Sequence, residues 1–184
     1  MDAIGLLLDA LQFSADKHRG QKRKDGDTAY INHPIAVAHI LKHVGGIDDP
    51  VVLCSAILHD TLEDTQTSKD ELVERFGKEV AEVVWEVCDD LIIKADKNRD
   101  AERKQLEIDH APILSHQAKL VKIADKIANL RDILNNPPVD WPMTRKLGYF
   151  DWAKRVIDGM RGTNSRLEAE FDALYLKRTT EKLL

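Results

Sequence analysis

Apolar positions recur at helical spacing along nearly the whole chain, and polar residues fall where such helices must begin and end. Ile4, Leu7, Leu8, Leu11 and Ala15 recur at helical spacing, which predicts an amphipathic helix ending near Gly20. The polar stretch over residues 21–30, with Gly26, Asp25 and Asp27, reads as a loop. Asn32 is the expected cap, and Pro34 a tolerated first-turn residue, of a helix carrying Ile35, Val37, Ala38, Ile40 and Leu41. Gly45-Gly46 stops it. Asp49-Pro50 then opens a central helix expected to run unbroken over residues 51–64.

Ser68 and Glu71 have capping-box spacing for a short helix that ends at Gly77. Val80, Val83, Val84 and Val87 mark the next apolar stripe. The pattern weakens over residues 91–102, which read as a loop or a poorly docked helical piece. Helix is expected again over 106–110, until Pro112. Residues 119–134 form a second strongly apolar helix, closed by Asn135-Asn136-Pro137-Pro138. Asp140 is the expected cap of a helix holding Leu147, Phe150, Ala153, Ile157 and Met160, broken at Gly162. Leu167, Phe171 and Leu174 mark the last helix. No alternating run is long enough for a central strand, and no repeat or interdomain linker intervenes. The expectation is one all-α domain over residues 1–184, with about eight or nine helices.

Composition narrows the function classes. The chain has 184 residues, 43% hydrophobic and 32% charged, with a formal net charge of −5. Such a chain can bury a core, and its acidity excludes nucleic-acid binding through overall charge. Cys54 and Cys88 lie inside apolar helical patterns and read as small buried hydrophobes in a reducing compartment. No apolar run approaches the ~20 residues that cross a bilayer. Leu6-Leu7-Leu8, followed at once by Asp9, is too short for a signal-peptide core. A cytoplasmic protein with no membrane partner is expected.

The candidate chemistry lies in Ala56-Ile57-Leu58-His59-Asp60-Thr61-Leu62-Glu63-Asp64-Thr65. Two polar pairs interrupt an apolar run without breaking its period. Residues four apart share a helix face, so His59 stacks with Glu63 and Asp60 with Asp64. Buried carboxylates are costly unless paired or bound to a metal. His33 and Asp125, the latter inside an otherwise apolar helix, supply further candidate ligands. Two imidazoles and two carboxylates suit Mn²⁺, with Fe²⁺ or Zn²⁺ as alternatives, and the lack of thiolates argues against a structural zinc site. Glu63 and Asp64 stand near enough for general-base work on water. A solvated helix end is the plain alternative, disfavoured by the helix dipole. His18, His39, His43, His110 and His116 read as ordinary surface groups. Six of the eight residues from position 17 to 24 are basic, and this run leads directly to His33.

Together, Arg23-Lys24-Asp25, Tyr30-Ile31-Asn32-His33-Pro34, the segment 58–65 and Lys122-Ile123-Ala124-Asp125-Lys126-Ile127-Ala128-Asn129-Leu130-Arg131-Asp132 resemble the hydrolase domain of the RelA/SpoT family, within the HD superfamily of metal-dependent phosphohydrolases. The resemblance covers nearly the whole chain and is strongest to the stand-alone small alarmone hydrolases. It implies a manganese-dependent hydrolase of (p)ppGpp that removes the 3′-pyrophosphate, with a small-molecule nucleotide as its partner. It implies His33, His59, Asp60 and Asp125 as metal ligands and Glu63 and Asp64 as water-handling groups. It sets Arg23, Lys24 and Asn129 along the nucleotide, with Arg131 and Asp132 as neighbours. Tyr149 resembles a position near the substrate and reads equally as a core aromatic. By this resemblance, a chain of this length is expected to degrade alarmone and not to make it.

The sequence departs from the family after Val87, where the charged stretch through Arg103 is extended, which leaves base preference open. Adenine alarmones, or the 2′-phosphate of NADPH, would suit the same ligand set. A catalytically silent nucleotide sensor is the remaining alternative, and the Glu63-Asp64 pair argues against it. A symmetric homodimer is a common state for small domains, although no interface is legible.

Overall fold

The computed structural model describes residues 2–88 and 96–179. Several of its helices start where a side chain supplies a partner for orphaned backbone groups. Asp2 accepts from the Gly5 amide at 2.8 Å and caps α1 (Ala3–Lys17). Asp49 accepts from the Val51 amide, with Pro50 in the first turn, and opens α3 (Pro50–Leu58). Between them lies α2 (Asn32–His43). A single turn, α4 (Thr61–Asp64), follows α3. Ser68 accepts from the Glu71 amide at the start of α5 (Lys69–Phe76). Gly77, at φ 86°, turns the chain into α6 (Lys78–Val87). The remaining helices are α7 (Asp100–His110), α8 (His116–Asn135), α9 (Met143–Asp158) and α10 (Ser165–Leu176).

The expected all-α architecture is present. Among the described residues there are ten α-helical segments, or nine if the short α4 is counted with α3. Two helices organise the rest. α3 packs against α1, α2, α6 and α8, and α8 also packs against α2, α6, α9 and α10. Every residue of α3 from Val52 to Leu58 is buried. The reason is that α3 divides two apolar clusters: Val52, Leu53 and Ala56 join one, and Cys54, Ile57 and Leu58 the other. A helix apolar all round belongs in such a place. Burial of Ile57 and Leu58 stabilises the fold by roughly 1.5–3 kcal/mol each and pins the end of α3, where the chemistry begins.

Several local expectations need correction. The central helix does not run unbroken over 51–64. It stops at Leu58, and Asp60 opens the backbone to φ −93°, ψ −4°. Side chains take over carbonyls at this end: His59 Nδ1 lies 2.8 Å from the Ala56 oxygen, and Thr61 Oγ1 donates to the Leu58 oxygen at 2.7 Å. Asn32 is the first residue of α2 rather than its cap; Ile31 holds that place without a side-chain bond. Asp140 does not cap α9, which begins after Pro142. Nor does Gly162 end it, because α9 stops at Asp158 with Gly159 as its cap. A Cβ at Gly159 would meet Ala111 and Pro112 at 3.2 Å, so glycine there allows the 3₁₀ turn Ala111–Ile113 to approach. Regular helix begins at Asp100, earlier than the pattern suggested. The charged, aperiodic expectation for 91–102 falls in part outside the described residues. The loop over 21–30 folds back on itself through an isolated antiparallel bridge between Lys22 and Ala29.

Candidate active site

His33 comes from the start of α2, His59 and Asp60 from the break after α3, and Asp125 from the middle of α8. His33 Nε2 lies 3.1 Å from Asp125 Oδ1 and 3.6 Å from Asp60 Oδ2. His59 Nε2 lies 3.1 Å from Asp60 Oδ2 and 3.8 Å from Asp125 Oδ1. Ligand atoms of His33, His59 and Asp60 all lie within 4.8 Å of one another, and Asp125 joins through its approach to both imidazoles. The break in the central helix has a purpose here. Neighbouring residues on a regular helix diverge by about 100°; the opened turn at Asp60 lets both His59 and Asp60 aim at one point.

The cluster fits a divalent cation. Donation from His59 Nδ1 to the Ala56 carbonyl fixes the ring and turns the Nε2 lone pair inward. That Nε2 is buried and has no hydrogen-bond partner. Leaving such an atom unsatisfied costs roughly 1–3 kcal/mol, which a metal bond removes. The surrounding charge favours a cation as well. Burial alone would lower His59, yet Asp60 and Asp125 hold it well above its ordinary value. Burial would raise Asp125, but Lys126 and the two imidazoles hold it well below the usual carboxylate range. Asp60 is likewise driven down against burial, chiefly by His59. His33 is pushed below its ordinary value by burial, which outweighs the pull of Asp125.

Glu63 and Asp64, on α4, line the same cavity one turn beyond Asp60. The Asp64 amide donates to the Asp60 carbonyl at 2.9 Å, and Gln21 Nε2 donates to the Asp64 carbonyl at 2.8 Å. Tyr30, which the motif contains but to which sequence reasoning gave no role, donates its hydroxyl toward Asp60 Oδ2 at 2.7 Å and Asp64 Oδ2 at 2.8 Å. Burial and these two carboxylates push the Tyr30 phenol far up, so it stays protonated. His18 needs correction: it is buried, not a surface group, and stacks on Tyr30 with ring centroids 4.7 Å apart.

The cavity has a volume of about 830 Å³, room for a nucleotide. The folded-back loop over 21–30 brings Arg23 across to α8. There Arg23 Nη2 donates to Asn129 Oδ1 at 2.8 Å and to Asp132 Oδ2 at 2.7 Å, with Nε donating to the same Asp132 oxygen at 3.1 Å. Asn129 Nδ2 in turn donates to Asp125 Oδ1 at 2.6 Å, so the guanidinium is tied to the metal cluster through one amide. Lys24 Nζ and the Arg145 guanidinium lie over the Trp141 ring, at 5.1 and 4.4 Å from its centroid. Tyr149 lines the cavity while packing between Trp141 and Trp152. Arg131 is not brought to the cavity. It points to α10, where Nη2 pairs with Glu170 Oε1 at 2.7 Å, and its expected nucleotide contact is not supported.

A second buried charge cluster forms the cavity floor. Glu107 Oε1 lies 3.0 Å from Lys122 Nζ and 2.7 Å from Lys126 Nζ. Lys122 also donates to the Val87 carbonyl at 2.9 Å, and Lys126 sits 4.2 Å from the Trp152 ring centroid. Sequence reasoning missed this cluster. Its signal was a pair of lysines, Lys122 and Lys126, one turn apart in an apolar helix, the same kind of anomaly that marked Asp125.

A helical fold that brings two histidines and two aspartates together in a cavity lined by charges of both signs marks the HD-domain class. The chain belongs to the HD-domain family, which matches residues 10–146. Two relatives are guanosine-3′,5′-bis(diphosphate) 3′-pyrophosphohydrolases named MESH1. That of Xenopus tropicalis is 48% identical over 172 residues, 93% of each chain. That of Homo sapiens is 49% identical over 173 residues, 94% of each chain. The solved structure of a metazoan SpoT orthologue that hydrolyses ppGpp superimposes with a TM-score of 0.88 at 43% identity, covering 97% of each chain. The family resemblance drawn from the motifs is thereby borne out.

Proposed function

We propose that this protein hydrolyses (p)ppGpp at its 3′-pyrophosphate, giving GDP or GTP and pyrophosphate. The observation that carries the reading is the His33, His59, Asp60 and Asp125 cluster in a cavity that also carries Arg23, Lys24 and Arg145, in a chain nearly half identical to relatives named for this activity. His33, His59, Asp60 and Asp125 would hold one divalent ion, which we take as Mn²⁺ from the mixed nitrogen and oxygen donors. When bound, that ion supplies Lewis acidity to a phosphoryl oxygen and acidity to a water. Glu63 and Asp64 hold and deprotonate the attacking water at their carboxylate oxygens. The water oxygen bonds to phosphorus as the bond from phosphorus to the ribose 3′ oxygen breaks, and the proton taken by the carboxylates passes to the departing oxygen.

Arg23, fixed by Asn129 and Asp132, presents a flat guanidinium toward the nucleotide. Lys24, with Arg145 beside it, supplies positive charge to the phosphates, and Tyr149 closes the aromatic wall. We read residues 1–184 as one HD-type domain in the cytoplasm. Free Cys54 and Cys88 suit that compartment, and no helix among the described residues is long and apolar enough to cross a membrane.

The test is a side-by-side assay of ppGpp, ppApp and NADPH with Mn²⁺, resolving products by anion exchange. Pyrophosphate and GDP from ppGpp, at the highest kcat/KM of the three, are the expected result. A preference for ppApp would reassign the base, and orthophosphate from NADPH as the favoured reaction would make the protein a 2′-phosphatase. Binding of ppGpp without turnover would make it a sensor.

A further inference from the structure

We propose that Tyr30 is a positioning residue for Asp64, its hydroxyl tying that carboxylate to Asp60 and so fixing where Asp64 meets the attacking water. The inference rests on the reading of Asp64 as a water-handling group.

The geometry is specific to this pair. Tyr30 Oη stands 2.7 Å from Asp60 Oδ2 and 2.8 Å from Asp64 Oδ2, so one hydroxyl serves two carboxylates one helical turn apart. The Asp64 backbone is already held by Gln21 at its carbonyl and by Asp60 at its amide. The phenol bonds the side chain directly. The phenol itself cannot swing. Its ring stacks on His18 at 21° and meets His33 edge-on at 6.1 Å, and the Arg23 guanidinium lies 5.4 Å from its centroid. The Tyr30 amide donates to the Gln21 carbonyl at 3.0 Å, which places the same loop against both ends of the arrangement. A phenol also suits the place chemically. It shares its one proton between two anions without adding a positive charge that would compete with a cation in the adjoining cluster. Lysine or arginine there would do the opposite. A water-handling group must sit within hydrogen-bond reach of its proton, so a carboxylate free to rotate loses much of its effect.

The test is a double-mutant cycle in the Mn²⁺-loaded enzyme, with Tyr30→Phe, Asp64→Ala and the pair. Tyr30→Phe keeps the ring and its contacts and removes only the hydroxyl. It is expected to lower kcat about 10- to 100-fold, the scale of one lost hydrogen bond to a charged group, with KM and metal content per chain unchanged. In the Asp64→Ala background the same change is expected to cost nothing further. Equal losses in both backgrounds would show that Tyr30 does not act through Asp64 and would overturn the proposal. So would loss of metal on Tyr30→Phe, which would assign the hydroxyl to Asp60 alone, or full activity of that variant beside a crippled Asp64→Ala. A urea melt of each variant accompanies the kinetics, and a Tyr30→Phe protein that does not fold would overturn the proposal by making the hydroxyl a requirement of the fold. Full activity of Asp64→Ala would instead overturn the role given to Asp64 itself.

Discussion

Two clusters of buried charge meet on α8 and are built on opposite principles. Around Asp125, two imidazoles and two carboxylates face one another and leave His59 Nε2 without a hydrogen bond. Around Glu107, two ammonium groups close on one carboxylate from within the protein. The first cluster suits a cation from outside. The second pairs opposite charges from its own members and leans positive. Lys126 joins them, its Nζ 3.5 Å from Asp125 Oδ2. One helix therefore sets a cation-seeking surface beside an anion-seeking one. A phosphate that bridges a metal and a basic wall needs that juxtaposition, and neither cluster alone provides it.

Substitutions can break the contrast at either side. Asp60→Ala should have the largest effect, since it removes a ligand and the Tyr30 bond together. Metal content should fall to background and turnover by at least ~10³-fold, read by metal analysis and initial rates. Glu63→Ala should leave the metal in place while slowing turnover by ~10²–10⁴-fold, as expected for a group that handles water rather than binding the ion. Loss of metal in that variant would contradict the division of roles.

Glu107→Ala tests the other cluster. It removes the carboxylate that pairs with two buried ammonium groups and should cost ~3–5 kcal/mol in urea unfolding, whereas replacing all three residues with apolar ones of similar size should restore most of that stability. The pH dependence follows in sign. Burial would raise Glu107, but Lys122 and Lys126 hold its carboxyl down at about 2, below the ordinary 4.5. A depressed carboxyl contributes stability above its unfolded value and loses it as pH falls from 4.5 toward 2. Glu107→Gln should flatten that part of the unfolding profile. The smallest effect is expected of Arg23→Ala, which removes nucleotide contacts made before and during reaction alike. KM should rise by ~10-fold with kcat nearly unchanged.

What could be read in the sequence follows physical lines. Asp125 was legible because a carboxylate inside an apolar helix has no packing reason to be there, and His59-Asp60 because polar pairs interrupted an apolar run. The same anomaly at Lys122 and Lys126 was passed over, since their partner Glu107 lies in a helix whose apolar period is too weak to mark a buried face. The break at Asp60 was hidden for a different reason. His59 and Thr61 bond carbonyls through their side chains, and nothing in hydrophobic spacing reports such competition. Arg131 shows the limit of adjacency in a motif. It follows Asn129 by two residues and so faces the far side of α8, where Glu170 takes it. Tyr30 precedes His33 by three residues, yet its bonds to Asp60 and Asp64 span 30 and 34 positions and became visible only once the loop was folded.

The most direct measurement is pyrophosphate release from ppGpp by chelator-stripped protein, followed as Mn²⁺ is added back. The account predicts no pyrophosphate from the stripped protein, then a saturable return of activity at one ion per chain, with one GDP formed for each pyrophosphate. Unchanged turnover in the stripped protein, or full Mn²⁺ binding with no pyrophosphate released, would contradict it.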